Sequence, residues 1–199
     1  MAEKRRITII GGGVAGYPAA IRAVRLGAEV TLIEREALGG TCLNRGCIPT
    51  KALLQSAETL SCIRGSETFG VRVSGFELDF QAVMDRKTAV VERLTKGVRS
   101  LLAAKKIRIV SGTAEFLDSR TIRIRETGER VTSDHILIAT GSVPACPPID
   151  GLESSGVWNS SDVLAMESVP SRAVIIGGGF IGIEYAQILK VFGTEVTVL

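Results

Sequence analysis

Residues 6–34 read RITIIGGGVAGYPAAIRAVRLGAEVTLIE, and residues 172–199 read RAVIIGGGFIGIEYAQILKVFGTEVTVL. Superimposed at an offset of 166 residues, Gly11 falls on Gly177, and Gly12, Gly13 and Gly16 fall on Gly178, Gly179 and Gly182. Ile9 and Ile10 fall on Ile175 and Ile176, Gly27 on Gly193, and Glu29, Val30 and Thr31 on Glu195, Val196 and Thr197, without a gap. Each copy runs from an apolar strand through a glycine turn into a stretch of helix formers, which a glycine closes before a second apolar strand. That order makes a right-handed strand–helix–strand crossover in a parallel sheet. The expected fold is therefore α/β, with a Rossmann-like unit at each end of the chain.

The glycine spacing has a physical meaning in this context. Gly11 allows the tight turn, Gly13 lets the backbone approach a pyrophosphate, and Gly16 lets the helix pack closely on the strand. The helix then offers the phosphates its unpaired N–H groups and the positive end of its dipole. A bare GxGxxG is a weak signal. Here a strand precedes it, a helix follows, and the acid Glu34 comes about 20 residues on, suited to accepting ribose hydroxyls and repelling a 2′-phosphate. The second turn, Gly177, Gly179 and Gly182, lacks that acid, because Leu199 aligns with Ile33 and the counterpart of Glu34 would be residue 200. The sequence thus reads as truncated inside its second unit, leaving NAD against NADP open. Two such units imply two nucleotides, one a flavin and the other a nicotinamide.

Between the repeats, residues 48–64 and about 79–104 read as helices. Between Ile107 and Thr132 several short runs, among them IRIV (107–110), TAEF (113–116) and TIRIR (121–125), alternate with turn residues and predict a three-stranded antiparallel meander. HILIATGS (135–142) returns as an apolar strand, and a stretch rich in Pro, Gly and Ser from about 142 to 161 reads as a linker. The expected division is a dinucleotide-binding domain over 1–147 and the beginning of a second over 148–199. Hydrophobic residues make up 45% and charged residues 23%, with a net charge of +3. This is an ordinary globular composition, from which no nucleic-acid partner, membrane span or secretory leader is expected. The cytoplasm is the expected compartment, where four cysteines suggest catalysis, metal binding or inert burial before a structural disulfide framework.

The chemistry is concentrated in GGTCLNRGCIPTKALL, residues 39–54. Cys42 and Cys47 are close enough to pair only if the chain turns between them, which Gly39-Gly40 and Asn44-Arg45-Gly46 make easy. Pro49 suits the start of a helix, placing Cys47 at a helix N-terminus whose dipole favours the thiolate. Cys42, further out on the turn, is the better candidate to meet a substrate. A zinc pair would need two more ligands, and the sole histidine, His135, stands in an apolar strand without a neighbouring cysteine. Two inert buried thiols are the remaining alternative.

Taken with the two glycine units and the ATGS turn, this segment resembles the pyridine nucleotide–disulfide oxidoreductases across nearly the whole chain. Within that family the segment is most similar to the dihydrolipoamide dehydrogenase branch. The resemblance implies FAD on the first unit and NAD on the second, with Cys42 exchanging with substrate and Cys47 facing the flavin. It implies oxidation of dihydrolipoamide to lipoamide with NAD⁺ as acceptor. By the same resemblance Lys51 lies by the flavin and pairs with Glu184, stabilising negative charge there. Gly40, Thr41, Ala114, Thr140 and Gly141 are the further expected FAD contacts. Phe180 and Ile181 join the nicotinamide-side turn, with a core aromatic as the alternative for Phe180. Cys62 and Cys146 match no functional position. Expected partners are a lipoyl domain of a 2-oxo acid dehydrogenase or glycine cleavage complex and, at full length, a second copy of the protein. Two departures stand out. Arg45 puts a cation between the cysteines, either favouring the thiolate or facing solvent. The family's acid–base histidine and its glutamate partner belong to a C-terminal dimerisation domain absent from this sequence, so the fragment alone is expected to be inactive. The rival readings are a related NAD(P)H-dependent disulfide or mercuric reductase, and a non-catalytic flavin-binding protein.

Overall fold

Alternation along the first two strands gives the sheet its two buried faces. In the computed structural model, which describes residues 4–154 and 156–199, RITII forms β1 (Arg6–Ile10) and EVTLIE forms β2 (Glu29–Glu34). They pair in parallel from Arg6 opposite Glu29 to Ile10 opposite Ile33. Ile9 and Leu32 point into a cluster with Ala20, Val30, Leu102 and Ile107, whereas Ile10 and Ile33 point into another with Val110, Ile122 and Ile124. One face thus packs on helices and the other on a small sheet. Between the two strands runs α1 (Gly16–Arg25), closed at Gly27, whose φ of 91° suits glycine alone.

The chain then forms α2 (Gly40–Arg45), α3 (Cys47–Arg64), a 3₁₀ turn over Ser66–Phe69 and the long α4 (Phe80–Ala104). After them come β3 (Arg108–Ser111), β4 (Ala114–Phe116), β5 (Thr121–Ile124), β6 (Arg130–Thr132) and β7 (His135–Ile138). The parallel sheet has the order β3-β2-β1-β7, and the antiparallel meander the order β4-β5-β6. Here the structure corrects the sequence reading. IRIV does not belong to the meander; it pairs in parallel with β2, Thr31 opposite Arg108 to Glu34 opposite Ser111. The meander's third strand is the RVT of β6. Val110 explains the exchange, since it is buried beside Ile33 where a solvated meander edge offers no such cover.

The last part of the chain holds α5 (Ser160–Val163), β8 (Arg172–Ile175), α6 (Phe180–Phe192) and β9 (Glu195–Val198). Two compact units result: the chain up to Asn44 with Glu92–Val143, and Arg45–Val91 with Pro144–Leu199. In the second unit Leu53, Leu60, Met84, Leu164, Ile188 and Phe192 form one core, with Phe80 edge-on to Phe192 at 5.9 Å between ring centroids.

The sequence repeat is also a repeat of bonds. Gly11 N–H donates to Ile33 O at 2.8 Å and Gly177 N–H to Leu199 O at 2.9 Å. Glu29 N–H donates to Arg5 O as Glu195 N–H does to Ser171 O, both at 2.9 Å, and the strand registers Arg6–Glu29 and Arg172–Glu195 coincide. Gly11 and Gly177 hold φ of 103° and 104°, a region closed to side chains. A Cβ on Gly16 would lie 1.7 Å from Gly11 O, and one on Gly182 2.3 Å from Gly177 O. Helix and strand therefore touch backbone to backbone in both copies. Gly16→Ala is expected to destabilise the protein by about 2 kcal/mol or more, through forced backbone displacement. Gly97→Ala, in α4 with open space around its Cβ, is expected to stabilise it by about 0.5–1 kcal/mol. Urea unfolding midpoints of the two variants check the pair, which must move in opposite directions.

Candidate active site

In the first unit, the glycine turn opens a helix that caps itself with nothing. Ala15 at the N-cap of α1 makes no side-chain hydrogen bond, and the first turn carries no acidic residue. The first N–H groups of that helix therefore have no side-chain acceptor, the usual state of an anion-binding helix end. Glu34 stands beside them with its carboxylate held at both oxygens: Oε2 accepts from Gly12 N–H at 2.7 Å and Oε1 from Glu36 N–H at 2.8 Å. Each oxygen keeps a lone pair for a ribose hydroxyl.

Two further segments close on the turn. Gly39 N–H donates to Gly12 O at 2.9 Å, and a Cβ on Gly40 would lie 2.6 Å from Gly13 Cα, so the chain leading to Thr41 passes the glycine turn without side chains between. On the other side, a Cβ on Gly11 would meet Ala139 O at 2.2 Å, which sets the turn of Thr140 and Gly141 against it. Gly112 N–H donates to Glu34 O at 3.0 Å, and Ala114 follows two residues later at the start of β4. The residues expected to hold FAD in this unit, Gly11, Gly13, Gly16, Glu34, Gly40, Thr41, Thr140, Gly141 and Ala114, thus come from five chain segments linked by backbone contacts. An uncapped helix end, an anchored carboxylate and a turn stripped of Cβ atoms fit a dinucleotide.

In the second unit Gly179 caps α6 without a side-chain bond, and again no acid stands in the first turn. Gly177, Gly179 and Gly182 repeat the geometry of the first turn, which fits a second nucleotide. Phe180 is 81% exposed and Ile181 48% exposed, so Phe180 is no core aromatic.

The redox segment departs from the irregular turn expected of it. Residues 40–45 coil into α2, and Cys47 is the first residue of α3 after Gly46. Cys42 is half-buried and Cys47 exposed, the reverse of the expected order. The cause is local: Leu38 and Leu43, on either side of Cys42, are both buried and draw α2 inward. Arg45, in the last turn of α2, is exposed. The Asn44 side chain, for which the sequence reading had no role, donates from Nδ2 to Gly40 O at 2.9 Å and Leu38 O at 3.1 Å, and Thr95 Oγ1 donates to its Oδ1 at 3.4 Å. Among the described residues no group of three or more His, Cys, Asp or Glu side chains is arranged to hold a metal ion.

One turn after Cys47, on the same helix face, Lys51 Nζ forms an ion pair with Glu184 Oε1 on α6. The adjacent positions meet too: Thr50 Oγ1 donates to Gly46 O at 2.7 Å and lies 3.2 Å from the Tyr185 hydroxyl, which donates to Ser160 O at 3.0 Å. Burial pushes the Tyr185 hydroxyl above its ordinary pKa; the Thr50 contact opposes this and the Glu184 charge reinforces it. The sequence reading named Lys51 and Glu184 but not their neighbours. The signal was present, since a helix contact that joins one pair of residues places the next pair side by side. The Lys51 side chain is 56% exposed, and such a pair contributes roughly 0–1 kcal/mol, so it orients groups more than it stabilises the fold. Lys51→Met is accordingly expected to change stability by less than about 1 kcal/mol. Tyr185→Phe is expected to cost about 1 kcal/mol by leaving Ser160 O without its donor. Urea midpoints measure both, with Tyr185→Phe the larger loss.

Two glycine turns at the ends of parallel strands, each opening an uncapped helix, make this an α/β protein of the dinucleotide-binding class. The sequence profile of the pyridine nucleotide-disulphide oxidoreductases matches residues 5–199, and the chain belongs to that family. It is 42% identical over 212 residues to a dihydrolipoyl dehydrogenase of Bacillus subtilis, covering 100% of this chain and 44% of the relative. It is 41% identical over 198 residues to dihydrolipoyl dehydrogenase 2 of Haloarcula marismortui, covering 97% of this chain and 42% of that protein. Among solved structures, the HOCl-induced flavoprotein disulfide reductase RclA from Escherichia coli superimposes with a TM-score of 0.83 at 33% identity, over 97% of this chain and 41% of that one. The chain spans less than half the length of these relatives.

Proposed function

We propose that the protein to which this chain belongs oxidises dihydrolipoamide to lipoamide with NAD⁺ as acceptor, through Cys42 and Cys47. The observation that carries the reading is the redox segment itself, two cysteines on consecutive helices followed by Lys51, whose ammonium pairs with Glu184. Relatives named dihydrolipoyl dehydrogenase, at about 40% identity across this chain, support the choice of substrate.

Oxidation of a dithiol releases two electrons and two protons. In this reading the enzyme starts with Cys42 and Cys47 joined as a disulfide. One substrate thiolate attacks Cys42 and releases Cys47 as a thiolate. The second substrate thiolate then attacks the first substrate sulfur and releases Cys42, leaving substrate disulfide and an enzyme dithiol. FAD, when bound, supplies the two-electron relay from that dithiol to NAD⁺. The chain's own part in holding it falls to the glycine turn Gly11–Gly16, Glu34 on the ribose, and the Gly40-Thr41 and Thr140-Gly141 segments. Lys51 brings a fixed cation to the face of α3 that carries Cys47, where negative charge accumulates, and Glu184 fixes its direction. The turn Gly177–Gly182, with Phe180 and Ile181, would receive NAD. A domain boundary near residue 147, a lipoyl domain of a 2-oxo acid dehydrogenase or glycine cleavage complex as partner, a homodimer and a cytoplasmic site complete the reading. Among the described residues no helix is long and apolar enough to cross a membrane.

A second reading has its own observation. The likeness to a flavoprotein disulfide reductase at 33% identity favours electron flow from a reduced nicotinamide to a disulfide. The same cysteines would serve, with the direction reversed. Anaerobic mixing of the FAD-loaded protein with dihydrolipoamide is expected to bleach the oxidised flavin band, and Cys47→Ser to slow this on the order of a thousandfold. Cys47→Ser bleaching at the unaltered rate overturns both readings. Bleaching by NADH but not by dihydrolipoamide selects the second.

A further inference from the structure

We infer that Asn44, one of the four residues between the two cysteines, is a positioning residue that sets the exposure and reactivity of Cys42. The inference rests on the proposed role of the Cys42–Cys47 segment and adds to it the group that holds Cys42 in place. Helix α2 has only six residues, too few to persist on its own. Glycines turn the chain into it, with φ of 100° at Gly39 and 60° at Gly40, its first residue. Carbonyls ahead of the helix, Leu38 O among them, lie outside its own ladder and need donors from elsewhere.

Asn44 meets that need. Both hydrogens of Nδ2 are used, on Gly40 O at 2.9 Å and Leu38 O at 3.1 Å, with Ala37 O at the edge of reach at 3.5 Å. Its Oδ1 is oriented by the Thr95 hydroxyl at 3.4 Å, from the long helix α4. One side chain thereby ties the end of α2 back over its own beginning, and Cys42 lies between the two anchor points. The chain leading into α2 is also bonded to the first glycine turn through Gly39 N–H and Gly12 O. A shift of Asn44 would move Cys42 and the backbone facing the nucleotide turn together. A carboxylate at position 44 would set oxygen against carbonyl oxygen, and alanine would remove the donor that Asn44 gives Leu38 O.

The test is competitive alkylation of the 199-residue chain by iodoacetamide under native conditions, with each cysteine followed in its own tryptic peptide. Cys62, exposed on α3, serves as the internal standard. Asn44→Ala and Asn44→Asp are each expected to raise the rate at Cys42 relative to Cys62 by about tenfold, by freeing α2 to open locally. Thr95→Val, which keeps Asn44 and removes its orienting hydroxyl, is expected to change the ratio in the same direction by a smaller factor, and it decides the matter should the Asn44 variants not fold. An unchanged ratio overturns the inference, as does a parallel rise at Cys42 and Cys62, which would mark general destabilisation. The readout involves neither flavin nor substrate, so failure to oxidise dihydrolipoamide would leave it untouched.

Discussion

A helix that begins against a strand with no side chain between them is the constraint from which the rest follows. Gly16 sits over the carbonyl of Gly11, and a single methyl group there would overlap it. The approach sets the angle at which α1 leaves the turn, aims its first N–H groups past the strand ends, and leaves room for Gly39 and Gly40 to pass in front. Gly182 over Gly177 does the same in the second unit. Because both contacts are between backbone atoms, they tolerate no repacking. Each unit therefore presents one uncapped helix end at the end of its parallel strands.

What the sequence could reveal was whatever depends on local spacing. The repeat of Gly11, Gly16, Gly27 and Glu29 at Gly177, Gly182, Gly193 and Glu195 is strict because every one of those residues meets backbone or ends an element, and the matching hydrogen bonds follow from it. Helices α3 and α4 were legible for the same reason. The strand at Arg108 was misjudged because its four residues carry too little pattern to choose a partner; the parallel place beside β2 is decided by the burial of Val110 against Ile33, a contact distant in sequence. Helix α2 was missed because glycine, threonine and asparagine favour turns, and the buried leucines on either side of Cys42 outweigh that preference.

The polar contacts divide in the same way. Lys51 and Glu184 were legible through family resemblance, whereas Thr50 and Tyr185 emerge only from the register of α3 on α6. The Tyr185 hydroxyl is buried and bonded to Ser160, so it resists being moved, while the neighbouring ion pair is largely solvated and contributes little to stability. A rigid neutral contact beside a soft charged one lets the cation keep its place on the Cys47 face of α3 without being buried. Asn44 plays the corresponding part in the first unit, where a side-chain amide fixes the short helix that carries Cys42.

The pairing of Cys42 with Cys47 is open to one direct measurement, because Arg45 places a tryptic cut between them. The native chain, treated with diamide and digested without reduction, is expected to release peptide 36–45 joined to peptide 46–51 through a disulfide. Cys62 and Cys146 should remain thiols. A map in which Cys42 or Cys47 joins Cys62 or Cys146 instead, or stays unoxidised while those two react, would contradict a working redox pair at this site.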